Sequence, residues 1–171
     1  MTLSPLMRKL ALTLHICVSV GWLGAALGFL ALALTGLTSA DPQTVRGAYL
    51  AMDVLTRAVL VPLSLASLLT GVVQALSTPW GLFRHYWVLI KLLLTVFAIL
   101  VLFLQLAPIR SLAHLASGPA FSVADHQEAR LSLVVHSAGG SLVLLLITAL
   151  SVLKPRGTTG FVQRSARRPT S

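Results

Sequence analysis

Four long apolar stretches, separated by short clusters of Pro, Gly, Ser and charged residues, dominate the pattern of this chain. Residues 10–34, 54–76, 86–107 and 131–153 are each long enough, at a helical rise of roughly 1.5 Å per residue, to cross a hydrocarbon layer about 30 Å thick. The pattern predicts an all-α fold, a four-helix antiparallel transmembrane bundle occupying residues 1–153. Residues 154–171, rich in Arg, Gly, Ser and Thr, carry no apolar period and read as a basic disordered cytoplasmic tail.

Boundary chemistry sharpens these elements. A basic lead with Arg8 and Lys9 precedes the first stretch, which is longer than the apolar part of a signal peptide; the small residues Thr38-Ser39-Ala40 leave cleavage there as the alternative. Asp41-Pro42 reads as an N-cap with proline at the first helical position, opening a second helix that runs to Leu76. Asp53 and Arg57 form a pair one turn apart. Pro62 should kink that helix inside the membrane, with Ser64 and Ser67 taking up freed carbonyls. Ser77 to Gly81 reads as a tight turn, and the third helix should end at Pro108, with a loop over 110–121. Ser122 and Asp125 resemble a capping box that opens the fourth helix.

Periodicity separates packing faces from polar ones. On the first helix His15, Ser19, Trp22, Ala26 and Phe29 share one face, and Gly21, Gly24 and Gly28 the opposite one. The Gly24–Gly28 spacing predicts close approach of another helix, within the bundle or from a second copy or other membrane partner. On the third helix Arg84, Trp87, Lys91, Thr95, Ala98 and Gln105 form a polar stripe. On the fourth, His136 lies beside Gly139 and Gly140, a flat patch that suits a planar cofactor or another helix.

Composition changes the picture in three ways. The chain has 171 residues, 56% hydrophobic and 10% charged, which excludes a water-soluble domain. The net charge of +9 comes with no nucleic-acid motif, so it reports topology and contact with anionic lipids at the tail. Nine of the 13 Lys and Arg (Arg8, Lys9, Arg84, Lys91, Lys154, Arg156, Arg164, Arg167 and Arg168) fall on the side of the two termini. That bias predicts both termini in the cytoplasm. The lone Cys17 excludes an intrachain disulfide and a cysteine cage for metal.

Lys91 lies seven residues, roughly 10 Å, inside the Arg84 anchor, and His15 six residues past Lys9, so both belong to one cytoplasmic-side layer. An intramembrane lysine marks a functional site unless it snorkels to the headgroups. No acid shares its layer, so an anionic ligand would stabilise it. The inner candidates are His15, Ser19, Trp22, Trp87, Lys91 and Thr95, with Gln74 at the edge; His15 would ligate haem iron while Lys91 pairs with a propionate. The outer alternative gathers His136 with His114, His126, Gln105 and Arg57. Each histidine read singly is also an ordinary packing residue. Three function classes follow: a protein binding b-type haem or another tetrapyrrole, a copper or small-ion conduit, and a scaffold subunit with no cofactor.

LTLHICVSVGWLGAALGF in the first helix and YWVLIKLLLT in the third together resemble a bacterial integral-membrane family of the copper-resistance-protein-D-like superfamily. More distantly the chain is similar to HemJ-type protoporphyrinogen oxidases. That resemblance implies a bacterial inner-membrane protein with His15 as an axial haem ligand and Lys91 in the tetrapyrrole site. The copper-resistance likeness implies instead copper passage across the inner membrane.

Overall fold

A computed structural model describes residues 4–77, 85–119, 121–122 and 126–153. The expected Ser77–Gly81 turn beyond Ser77, Asp125 of the expected capping box, and the tail lie outside the described residues. Four helices cross the molecule: α1 (Pro5–Thr38), α2 (Pro42–Leu76), α3 (Tyr86–Ser117) and α4 (Gln127–Leu153). All four are long and apolar enough to span a membrane, and the protein is an all-α, multi-pass membrane bundle. α1 packs on α2 and α4, and α3 packs on the same two, so α1 and α3 stand diagonally across the bundle axis. The end holding the beginning of α1 and the end of α4 is called here the terminal end; the opposite one is the turn end.

Local sequence explains the first two starts. Ser4 accepts from the Met7 amide with Pro5 at the first helical position, and Asp41 accepts from the amides of Gln43 and Thr44 ahead of Pro42. Pro at these positions loses nothing, because that N–H has no intrahelical partner. The hydrogen bonds from the Thr44 side chain, and then from the Thr44 and Gln43 amides, hold the Asp41 carboxyl below the usual range. Because the folded pKa is the lower one, the cap's contribution is complete above the ordinary Asp range and is lost as pH falls through the folded value. The start of α2 should therefore fray in acid, and the protection of the Gln43 and Thr44 amides, measured against intrinsic exchange at each pH, should fall only below about pH 4. Protection unchanged down to about pH 2, or already falling near pH 6, contradicts this.

Around Pro62 the expected carbonyl partners are met only in part. It lacks the N–H that would bond Ala58, and the chain before it widens into a π turn, Thr56–Leu60, in which the Val61 amide reaches the Thr56 carbonyl. Ser64 takes up the Val61 carbonyl at 2.8 Å, but Ser67 turns away to bond Ser19 of α1.

Pro108 does not end α3, which continues to Ser117. The reason is burial beyond the proline: Ile109, Leu112, Ala113 and Ala116 all enter the core. Burying Ile109 and Leu112 at roughly 1.5–3 kcal/mol each offsets the roughly 3 kcal/mol cost of an interior proline. The expected loop over 110–121 is thus mostly helix, and His114 lies in its last turn. At the start of α4, His126 adopts a left-handed conformation (φ 61°) and its carbonyl accepts from the Arg130 amide.

Within the bundle, the Gly24–Gly28 pair does not make the expected close approach. Gly24 and Gly28 face outward, and a Cβ on either meets nothing within 4 Å. α1 buries Trp22, Phe29, Ala33 and Gly36, the other side of the helix. Close approaches inside the bundle use other glycines: Gly21 against Leu63, Gly36 against Tyr49, and Gly71 against the His15 ring.

Candidate functional site

The polar residues of α1 face α2. His15 Nδ1 lies 2.9 Å from Thr70 Oγ1, and that hydroxyl lies 2.7 Å from the Ala66 carbonyl. A hydroxyl has one proton, and a carbonyl can only accept. The Thr70 proton therefore goes to Ala66, Nδ1 carries the imidazole proton, and Nε2 keeps its lone pair. Gly71 makes room for the ring, since a Cβ there would stand 3.2 Å from His15 Cε1. One turn nearer the terminal end, Gln74 Nε2 is buried without a hydrogen-bond partner. Ser19 bonds Ser67 at 2.9 Å a turn above His15.

Lys91 is held from the other side of the bundle. Its Nζ donates to Ser151 Oγ of α4 at 2.9 Å and lies 5.1 Å from the centre of the Trp87 ring. Ser151 passes its own proton to the Ile147 carbonyl. Trp87 is buried against Val88 and Ala75, and Thr95 is half-buried one turn along the same stripe. The structure thus joins Trp87 to Lys91 and lays His15 and Ser19 along α2. His15 and Lys91 are anchored on different neighbours, α2 and α4.

Trp22 belongs to the central core and to a second feature, a cavity of about 80 Å³ between α1, α3 and α4. Its wall includes Trp22, Phe29, Leu60 of the π turn, Gln105, His136 and Gly140. Of the outer candidates only Gln105 and His136 meet there. His114 and His126 are exposed off the wall, and Arg57 is paired with Asp53. His136 Nδ1 lies 2.7 Å from the Ser132 carbonyl, which fixes the proton on Nδ1 by the same logic. Gln105 Oε1 is buried without a partner.

Sequence reasoning missed the most elaborate polar cluster. At the turn end the buried Arg130 donates from Nε and Nη2 to the Gly36 carbonyl (3.2 and 2.6 Å), from Nη2 to Leu37 (3.2 Å), and from Nε to Tyr49 Oη (2.9 Å). Tyr49 in turn donates to the Gly36 carbonyl at 3.0 Å. Arg46 does the same for α3, reaching the carbonyls of Ala116 and Gly118 at 2.8 and 2.6 Å and stacking on Phe121. Each arginine satisfies the orphan carbonyls at a neighbour's C-terminus, where a cation is also favoured by the helix dipole. Thr70, three residues after Ser67, was legible by spacing; Ser151 and the arginine caps carry no local sequence signature.

Among the described residues no three His, Cys, Asp or Glu come together to hold a metal ion. No family model, no curated protein and no solved structure matches the chain.

Proposed function

We propose that the protein binds an anionic planar cofactor, b-type haem fitting best, in the terminal half of the bundle, with His15 as the iron ligand. The reading rests on one observation: His15 Nδ1–H is spent on Thr70, which aligns the ring and leaves Nε2 as a lone-pair donor. Ligating imidazoles carry this kind of outer hydrogen bond, which fixes tautomer and orientation. Two features suit the acid groups of such a cofactor. Lys91 brings positive charge to the same layer, and the buried Gln74 amide lacks a partner that a carboxylate would supply. Haem would contribute the one-electron chemistry that side chains lack. The protein's residues would hold it, shield it from water through the buried Trp87, and neutralise its charge through Lys91.

Orientation belongs to the same proposal: a bacterial inner-membrane protein with both termini cytoplasmic, supported by nine basic residues on that side against four. The test is the optical spectrum of full-length protein purified after expression with ample haem precursor. Wild type should show a Soret band, His15→Ala should lose it, and Lys91→Leu should retain about a tenth or less of the bound cofactor after detergent exchange. A wild type without Soret absorbance, or a His15→Ala protein with an unaltered band, removes the proposal. Copper binding in place of haem would favour the conduit reading.

A further inference from the structure

The cavity around Trp22 and His136 serves neither His15 nor Lys91, and its chemistry differs from theirs. Its wall is mostly apolar, with Gln105, His136 and Ser137 as the polar side chains, and no acid, lysine or arginine lines it among the described residues. A charged ligand would lose its hydration there without a counter-charge. About 80 Å³ is also small beside the roughly 300 Å³ at which drug-sized pockets begin, so a tetrapyrrole does not fit.

Three details define what does fit. First, a Cβ on Gly140 would meet nothing within 4 Å, so this wall is open and flat opposite the rings of Trp22 and Phe29. Second, His136 is exposed on the flank of the bundle while it lines the cavity, so the space is reached sideways from the lipid rather than from water. Third, the polar atoms call for donors. His136 Nε2 is an acceptor once Nδ1–H is given to Ser132, and the Gln105 carbonyl oxygen is buried with no donor. A buried acceptor left unpaired is costly, and a ligand hydroxyl would pair it.

We infer that this cavity is a binding site for the hydroxylated ring of a membrane-soluble quinol. The ring lies between Trp22, Phe29 and the Gly140 face, one hydroxyl donates to His136 Nε2, the second donates to Gln105 Oε1, and the alkyl tail stays in the lipid. The site is separate from the haem proposal and stands without it.

Full-length protein in phosphatidylcholine nanodiscs, titrated anaerobically with a short-tailed benzoquinol and with its dimethyl ether, tests this. The quinol should bind saturably at one per chain, and the ether, which has the same ring but no donor, should bind about tenfold more weakly or worse. Gly140→Leu should fill the cavity and abolish quinol binding with an unfolding midpoint equal to or above wild type, since leucine is the better helix former. His136→Phe should weaken binding about tenfold and His136→Asn, which keeps an acceptor, much less. His15→Ala should bind quinol as wild type does, which separates failure here from failure of the haem site. Absence of saturable binding, equal affinity for quinol and ether, or wild-type binding by a folded Gly140→Leu protein overturns the inference.

Discussion

Arg130→Met is expected to cost about 3 kcal/mol of bundle stability, more than any other single charge replacement among the described residues. The guanidinium is 6% exposed and bonds the carbonyls of Gly36 and Leu37 and the hydroxyl of Tyr49. Hydrogen bonds to a charged group are worth about 1.5–3 kcal/mol each, and a cation at a helix C-terminus adds up to about 2. The sum overshoots, because methionine also removes the desolvation penalty of a buried charge and Tyr49 still covers the Gly36 carbonyl. The Leu37 carbonyl loses this donor in every case. Reversible unfolding in mixed micelles should show the loss, with Arg130→Lys recovering part of it through charge but not the forked geometry. Arg46→Met, at a half-buried site, should cost less. A change under about 0.5 kcal/mol at Arg130 would mean the cap is incidental.

What the sequence exposed and what it hid divide along physical lines. Span number and the antiparallel all-α fold were legible because a bilayer demands long apolar helices, and residues 10–34, 54–76, 86–107 and 131–153 each fall within one helix. Facing was legible for His15, Ser19 and Trp22, whose shared stripe does turn into the bundle, and for Trp87 with Lys91. Partners were not legible, because periodicity gives an angle about one axis and says nothing of which helix stands there. His15 and Lys91 share a depth, yet their first bonds go to Thr70 and Ser151 on two different helices. Pro108 misled because local propensity ignores the burial of Ile109 and Leu112 past it. The arginine caps were hidden for the same reason as the partners, since backbone carbonyls at helix ends leave no trace in composition.

The glycines make that distinction measurable. Gly36→Ala should destabilise the bundle by about 2–3 kcal/mol, although the same change in an open helix position gains up to about 1. A Cβ at Gly36 would stand 2.9 Å from Tyr49 Cε1 and Cζ and 3.0 Å from its oxygen. Tyr49 has no room to retreat. It is 1% exposed, lies edge-on to Phe121 at 6.3 Å, and is tied through its hydroxyl to the Gly36 carbonyl and Arg130. Any shift of the ring breaks the bonds that close the turn end. Gly24→Ala and Gly28→Ala provide the contrast, because both positions are open and the sequence motif alone would mark them as the critical pair. Each should be neutral or stabilising by up to about 1 kcal/mol in the monomeric bundle. In a Tyr49→Ala background the cost of Gly36→Ala should vanish, giving a coupling energy of about 2 kcal/mol in the double-mutant cycle. Equal effects at positions 24 and 36, or a Gly36→Ala cost that persists without the Tyr49 ring, would show that α1 does not pack on α2 through this contact.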